Sequence, residues 1–400
     1  MPAERIVIIG AGLAGLRAAE RLRERGHAGP IEILGDEPHR PYTRPPLSKQ
    51  VLAGTMEPTD LTLRSHGDEL NVTWSLGDAV IHLIPRSKTV AVASGRKVRY
   101  DGLIIASGVE ARTLTGVPTD LPNVRTLRTL ADCRAIDEAM TRADSVAIIG
   151  GGFIGCEVAT SARRRALDTT SIDISTTLLG HAVGAEVGEI VTNLHRAAGV
   201  KLRLGQHVEN FDLTGGRLKL ELDDHSFVTA DVVVVGVGTR PRVEFLSGLG
   251  LDLTDGVLCT STCHVVGLDD AVAAGDCARW PNLRFGETPY RVEHWINAVE
   301  QARAAADALL AGSATAEPFA PIPRFWSEQH DVKIQSIGMP RLADRVVLAE
   351  RDPRSHRTIA TYHRGEEMIG VIAIDEPRRL LDYTRHFVHA IGKTTSARAA

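Results

Sequence analysis

Ile6-Val7-Ile8-Ile9-Gly10-Ala11-Gly12-Leu13-Ala14-Gly15 and Val146-Ala147-Ile148-Ile149-Gly150-Gly151-Gly152-Phe153-Ile154-Gly155 state one pattern twice. Each is an apolar run closed by G-x-G-x-x-G, and each continues in the same way. The first passes through a helical stretch to Arg25, a second apolar strand Ile31 to Leu34 and the acid Asp36. The second passes through a helix to about Ala166, the strand Thr170-Ser171-Ile172 and the acid Asp173. A lone glycine turn is a weak sign. Strand, glycine turn, helix, strand and acid in order describe a dinucleotide-binding unit. Its first Gly makes the bend, its second admits the pyrophosphate and its third lets helix and strand pack. The phosphates then meet the free amides and positive end of the helix.

Two such units in one chain imply two dinucleotides brought face to face, and the chemistry that needs this is hydride transfer between a nicotinamide and a flavin. Asp36 and Asp173 should each accept hydrogen bonds from an adenosine ribose, although either alone could be a solvated acid at a strand end. An acid at 173 repels a 2′-phosphate, which favours NADH over NADPH. Arg163, Arg164 and Arg165 fall at a helix end, where cations complement the dipole, and are read as a surface cap.

The rest of the composition narrows the class. Four hundred residues with 43% hydrophobic and 24% charged side chains suit a soluble chain of two or three domains. A net charge of −4 offers no bulk attraction for nucleic acid. No apolar stretch approaches the ~18 residues of a membrane span. Met1 to Arg5 leads straight into the first strand, leaving no space for a secretory leader, so a cytoplasmic location is expected. Cys133, Cys156, Cys259, Cys263 and Cys277 are odd in number and lack C-x-x-C spacing, which suggests neither a disulfide framework nor a zinc site. Cys259 and Cys263 read as small apolar residues in a strand-rich segment, and no cysteine is assigned a catalytic role. No metal-ligand spacing, G-x-S-x-G or H-E-x-x-H occurs.

Short strands are expected at Val90 to Ala93, Leu103 to Ala106, Leu218 to Leu222 and Val232 to Val235, as antiparallel inserts. Val292, Trp295, Ile296, Val299, Leu309 and Leu310 recur at helical spacing, and Gly312 follows where a helix would stop. Glu317 to Arg324, with Pro318, Pro321 and Pro323, reads as a linker. Strands up to Ile374 and a helix opened by Pro377 then form a third domain. Thr394 to Ala400 is expected to fray.

With these residues in place, the chain resembles the bacterial oxygenase-coupled ferredoxin reductases, the family of putidaredoxin reductase and the biphenyl dioxygenase reductase component. The likeness rests on the two glycine turns and on Pro41-Tyr42-Thr43-Arg44-Pro45-Pro46-Leu47-Ser48-Lys49, Leu103 to Gly108, and Val232 to Gly238 followed by Thr239-Arg240-Pro241. Gly275-Asp276-Cys277-Ala278-Arg279, Arg291-Val292-Glu293-His294-Trp295 and Phe325-Trp326-Ser327-Glu328-Gln329 complete it. The resemblance implies an FAD site of Gly10, Gly12, Leu13, Ala14, Gly15, Asp36, Arg44, Pro46, Lys49, Val80, Ala106, Ser107, Gly108, Arg128, Gly275, Asp276, His294, Trp295 and Trp326. It implies an NAD site of Gly150, Gly152, Phe153, Ile154, Gly155, Glu157, Asp173, Gly236, Val237 and Gly238. Lys49 matches the family lysine beside the flavin and Glu157 its acidic partner near the nicotinamide, the two catalytic positions. A surface lysine and a helix glutamate are the ordinary readings of each alone, and only the resemblance joins them. Pro45 and Pro46 would present a donor-free wall to the flavin. A helix beginning near Glu293 would aim its positive end at the flavin, and Trp295 and Trp326 would lie near it or serve as core residues.

Thr43, Ser107 and Thr177 depart from the residues usual in the family, Asp, Thr and Arg. No Cys lies in Tyr42 to Lys49 or after Gly10, where disulfide reductases of similar architecture carry their thiols, so thiol chemistry is disfavoured. The resulting expectation is an α/β chain with two Rossmann-like dinucleotide-binding domains and a C-terminal α+β domain. An FAD domain would cover residues 1–109 and 237–318, an NAD domain 110–236 and a strand-rich interface domain 319–400. The implied activity carries electrons from NADH through FAD, one at a time, to an iron–sulfur ferredoxin that serves a haem monooxygenase or a ring-hydroxylating dioxygenase. The chain would act as a monomer or homodimer without nucleic acid or membrane, and Arg40, Arg44, Arg291 and Lys333 are candidates to steer an acidic ferredoxin. Rubredoxin, a quinone or oxygen as acceptor, or a flavin-bearing protein like apoptosis-inducing factor that passes electrons to no carrier, remain the alternatives.

Overall fold

The computed structural model describes residues 4–63, 70–117, 121–352 and 355–385, so the expectation for Thr394 to Ala400 lies outside the described residues. The helices named below are α1 (Leu13–Glu24), α2 (Leu130–Thr141), α3 (Phe153–Arg164), α4 (Gly180–Ala197) and α5 (Trp295–Ala311). The chain forms two compact units. One comprises Met1–Thr43, Leu61–Glu110 and Arg240–Pro323, the other Arg44–Asp60, Ala111–Thr239 and Arg324–Ala400.

In the first unit a parallel sheet runs in the order Ala271–Ala273, Gly102–Ile105, Ile6–Ile9, Ile31–Leu34, Thr73–Ser75. Its central strands are buried along their whole length because helices cover the sheet. Ala18, Ala19 and Leu22 of α1 share a core with Ala302, Ala305 and Ala306 of α5, where small side chains let the helices approach closely. Arg21 adds a paired hydrogen bond to Asp307, at 2.8 and 2.7 Å, across the same contact. Val80–Ile84, Thr89–Val92 and Lys97–Arg99 form a separate antiparallel sheet.

The second unit repeats the design. Its parallel sheet is ordered Lys201–Leu204, Asp168–Asp173, Ser145–Ile149, Val232–Val235, Val124–Thr126. Val208–Thr214, Arg217–Leu222 and Phe227–Ala230 add an antiparallel sheet. A five-stranded antiparallel sheet follows, ordered Arg324–Gln329, Val332–Gly338, Glu367–Ile374, Thr358–Arg364, Arg345–Arg351. Val183, Val187 and Val191 of α4 pack on Ile334, Ile372 and Tyr362 of this sheet.

Two of the expected antiparallel inserts are parallel instead. Gly102–Ile105 pairs in parallel with Ile6–Ile9, and Val232–Val235 in parallel with Ser145–Ile149. Every residue of both strands is buried, and a short all-apolar run fits a covered parallel sheet better than a half-exposed hairpin. Val90 and Leu218 do lie in antiparallel sheets. The cap reading of the arginine triplet also needs correction. Arg164 is exposed and pairs with Asp331. Arg163 is drawn inward to the carbonyls of Ala198 and Leu167, and Arg165 to the Leu52 carbonyl and Asp137. Long side chains at a helix end satisfy any orphan carbonyl within reach, on their own helix or another.

Candidate functional site

The two glycine turns have one geometry. Gly10 and Gly150 sit at φ +116 and +111, and a Cβ on either would lie 2.1 Å from the Ala106 carbonyl oxygen or 2.3 Å from that of Gly236. Gly15 and Gly155 are closed equally, with a Cβ 2.0 and 1.9 Å from the carbonyl oxygens of Gly10 and Gly150. Gly12 and Gly152 are the opposite case: a Cβ there meets nothing within 4 Å. Both are N-caps without a side-chain hydrogen bond, of α1 and α3 respectively. Each turn therefore leaves open space at an uncapped helix start, a surface that fits a pyrophosphate. Leu13 and Ala14 begin α1, and Phe153 and Ile154 begin α3.

Around the first turn stand Ala106, Ser107 and Gly108. The Ala106 amide donates to Ile9 at 2.7 Å, and the Ser107 hydroxyl donates to the Arg242 carbonyl at 2.7 Å. Asp36 is half exposed and paired with the Arg242 guanidinium, a neighbour the sequence reading did not foresee. Gly275, at φ +76, donates its amide to the buried Gln301 at 3.0 Å, and Asp276 follows it. His294 is the N-cap of α5 and Trp295 its first residue, two positions beyond the expected start at Glu293. Val80 opens its antiparallel strand in the same unit.

Around the second turn, Gly236 donates its amide to Ile149 at 2.7 Å, and Val237 and Gly238 follow. Asp173 is tied to its own cradle. Its Oδ2 accepts from the Gly151 amide at 2.5 Å and its Oδ1 from the Ser175 amide at 2.7 Å. Asp173→Ala removes the acid that is expected to accept from a ribose and lies wholly within the second unit. NADH affinity is expected to fall about 10- to 100-fold, as for losing hydrogen bonds to a charged acceptor, with flavin content unchanged. Equal loss of both ligands in absorbance and fluorescence titrations would contradict this separation.

The same unit contains a buried charged pair. Leu47–Val51 is a single π-helical turn following Pro46, a conformation common at functional positions. It lies against α3 and α2: the Ser161 hydroxyl of α3 donates to the Ser48 carbonyl at 2.8 Å, and the Cys133 thiol of α2 to that of Leu47 at 3.3 Å. The turn places Lys49 Nζ 2.8 Å from Glu157 Oε2. Side-chain exposures of 10% and 4% make this a buried ion pair, which is tolerable only when further hydrogen bonds replace water. They are present. Ser48 donates to Glu157 Oε2 at 2.5 Å, Ser327 donates to Oε1 at 2.6 Å, and Lys49 donates to the Pro45 carbonyl at 3.1 Å. Ser48 and Ser327 lie within motifs of the sequence that give them no role, and nothing in their local pattern marks them as partners of an acid more than a hundred positions away. Arg44 donates to the Arg128 carbonyl at 2.9 Å, and Trp326 lies in the first strand of the C-terminal sheet. Of the residues assigned to the flavin, then, Arg44, Pro46, Lys49, Arg128 and Trp326 belong to the second unit and the others to the first.

Two other groups of residues are settled by burial. Arg291 is buried and held by Asp255 and Glu293, each at 2.8 Å, and by the Asp276 carbonyl, so it is removed from the steering candidates. Arg40 and Lys333 are exposed, Arg40 lying over the Trp74 ring at 4.5 Å from its centroid. All five cysteines are free and buried. Desolvation raises every thiol, Cys133 and Cys263 to about 12, so none is a ready nucleophile.

The chain matches the family model for pyridine nucleotide-disulphide oxidoreductases over residues 4–302 and that for the reductase C-terminal domain over residues 324–400. It is 33% identical to rhodocoxin reductase of Rhodococcus erythropolis, over 93% of this chain and 87% of that protein. It is 35% identical to the biphenyl dioxygenase system ferredoxin–NAD(+) reductase component of Paraburkholderia xenovorans, over 83% of this chain and 80% of that protein. Among solved structures, the covalent putidaredoxin reductase–putidaredoxin complex superimposes with a TM-score of 0.90 at 29% identity, covering 97% of this chain and 93% of that one.

Proposed function

We propose, since the chain belongs to the pyridine nucleotide-disulphide oxidoreductase family and within it to the ferredoxin–NAD(+) reductases, that it is an FAD-dependent oxidoreductase carrying electrons from NADH to an iron–sulfur ferredoxin. That ferredoxin in turn feeds a haem monooxygenase or a ring-hydroxylating dioxygenase. The observation that carries this reading is the duplicated open cradle, Gly12 before α1 and Gly152 before α3. Bound FAD supplies the link between a two-electron donor and a one-electron acceptor.

The chain's own residues supply binding and orientation. The first cradle, with Asp36, Ala106 to Gly108, Gly275 and Asp276, would hold FAD; the second, with Asp173 and Gly236 to Gly238, would hold NADH. Lys49 is fixed by Glu157 and the Pro45 carbonyl, so its ammonium is a stationary charge rather than a swinging one. A fixed charge aligned before reaction stabilises developing negative charge without reorganisation. Buried thiols leave no route for a cysteine relay, which separates this chain from the disulfide reductases of the same family name.

Arg40, Arg44 and Lys333 remain as steering candidates for an acidic carrier. NADH-driven reduction of cytochrome c through a panel of ferredoxins tests the acceptor. A ferredoxin-dependent rate that falls as salt rises is expected; a rate independent of added ferredoxin contradicts the proposal, and one insensitive to salt removes the steering.

A further inference from the structure

Glu157 is the end of a line of side chains that the chemistry above leaves unused. Ser327 Oγ lies 2.6 Å from Glu157 Oε1, and Gln329 Nε2 lies 3.0 Å from Ser327 Oγ. His195 Nε2 lies 3.0 Å from Gln329 Oε1, and His330 Nε2 lies 3.1 Å from His195 Nδ1. Ser327, Gln329 and His195 are fully buried, and His330 is half-buried. All five residues belong to the second unit.

The protons in this line can be placed in one way. An ionised Glu157 has no hydrogen to give, so the Ser327 hydroxyl donates to it. With its one hydrogen committed, Ser327 can only accept from Gln329, which turns the amide NH2 toward Ser327 and the amide oxygen toward His195. His195 must then carry its proton on Nε2, leaving Nδ1 as a bare acceptor. His330 fills that acceptor from its own Nε2–H. Every donor thus points toward Glu157, and bonds aligned in series polarise one another.

Two independent features agree with this. His330 and Asp331 form the two-residue turn between paired Gln329 and Val332, at φ +47 and +66. That left-handed turn favours Asn-Gly, yet a histidine occupies it, with its ring set edge-on to His195 at 4.4 Å between centroids. Both imidazoles are also held neutral. Burial pushes His195 and His330 down to about 4. At His330 the His195 ring, Arg164 and Arg163 act in the same direction as burial, and Asp331 opposes them. A protonated His195 would present a hydrogen to His330 where the line requires a lone pair.

We propose that Gln329, His195 and His330 are positioning residues that hold the Ser327 hydroxyl hydrogen on Glu157 and so fix the carboxylate against Lys49. Gln329 sets the direction of the line, because it alone both accepts from a histidine and donates to the serine. The kinetic consequence rests on Glu157 acting beside the nicotinamide; the direction of the hydrogen bonds does not.

Two measurements test it. In flavin-loaded protein with 15N-labelled histidine, near neutral pH, ring nitrogen shifts are expected to report neutral His195 and His330, each protonated at Nε2. His195 protonated at Nδ1 would overturn the proposal. In stopped flow at a pH where the new carboxyl is ionised, Gln329→Glu keeps the shape and the bond from His195 but, as an acceptor only, turns the Ser327 hydroxyl away from Glu157. The limiting rate of flavin bleaching by NADH should fall about tenfold, with a much smaller change in the NADH concentration giving half that rate. Gln329→Met, which adds no charge, guards against misfolding of the first variant. It should lower the rate on its own and add nothing in a Ser327→Ala background, because both changes act on the same hydrogen. Unchanged rates in folded Gln329→Met, or losses that add in the double variant, would overturn the positioning role. Absence of bleaching in the unaltered protein would instead contradict the proposed function, leaving the nitrogen shifts to decide the direction.

Discussion

Gly12→Val is expected to give a folded, colourless protein, and Gly152→Val a yellow one that no longer responds to NADH. The space at the two positions is alike, and the asymmetry follows from the dinucleotide that each cradle is proposed to hold. A Cβ at either glycine meets no atom of a more distant residue within 4 Å, and neither backbone is left-handed, so both substitutions are expected to fold. Each is an N-cap whose replacement by an apolar residue costs about 1 kcal/mol. The added methyls instead fill the place where a pyrophosphate would approach the helix amides, removing charge-assisted bonds worth about 1.5–3 kcal/mol each. Loss of several such bonds lowers affinity more than about 1000-fold. Gly10→Val and Gly150→Val are the controls. Their left-handed backbones and neighbouring carbonyls make them fail by misfolding, which circular dichroism separates from loss of cofactor in a folded chain.

The second large effect lies at the buried pair. Glu157→Ala leaves the Lys49 ammonium with the Pro45 carbonyl and removes the acceptor used by Ser48 and Ser327. Breaking one half of a buried ion pair costs about 3–5 kcal/mol, a shift that urea unfolding resolves easily. Lys49→Met combined with Glu157→Leu should recover most of that stability, since apolar groups of similar volume need no partner. It should not recover the rate of flavin bleaching by NADH, because the fixed charge is gone. Stability restored together with full activity would mean that the pair is structural only.

These two effects also mark what the sequence could show. The cradles are local: strand, glycines and helix lie within a few residues, and the spacing of Gly10, Gly12 and Gly15 carries its own geometry. The direction of Gly102–Ile105 and Val232–Val235 was not legible, because four apolar residues in a row carry no record of their neighbour's polarity. The partnership of Lys49 with Glu157 was legible only through family likeness. A π-helical turn has no repeating pattern to betray it, and the partner stands on a helix of another segment. His195 lies near the end of an amphipathic helix, and its partners Gln329 and His330 stand on a hairpin of a distant segment. Arg242 beside Asp36, and Arg291 drawn into Asp255 and Glu293, show the same limit for surface charge, whose pairing depends on tertiary contacts rather than spacing.

An anaerobic titration of the purified protein with NADH, followed across the visible spectrum, tests the central claim most directly. One oxidised flavin per chain, bleached by one equivalent of NADH and restored by two equivalents of an oxidised one-electron ferredoxin, is the result expected. A protein that holds no flavin even when FAD is added, or whose flavin is left unchanged by excess NADH, would contradict the account.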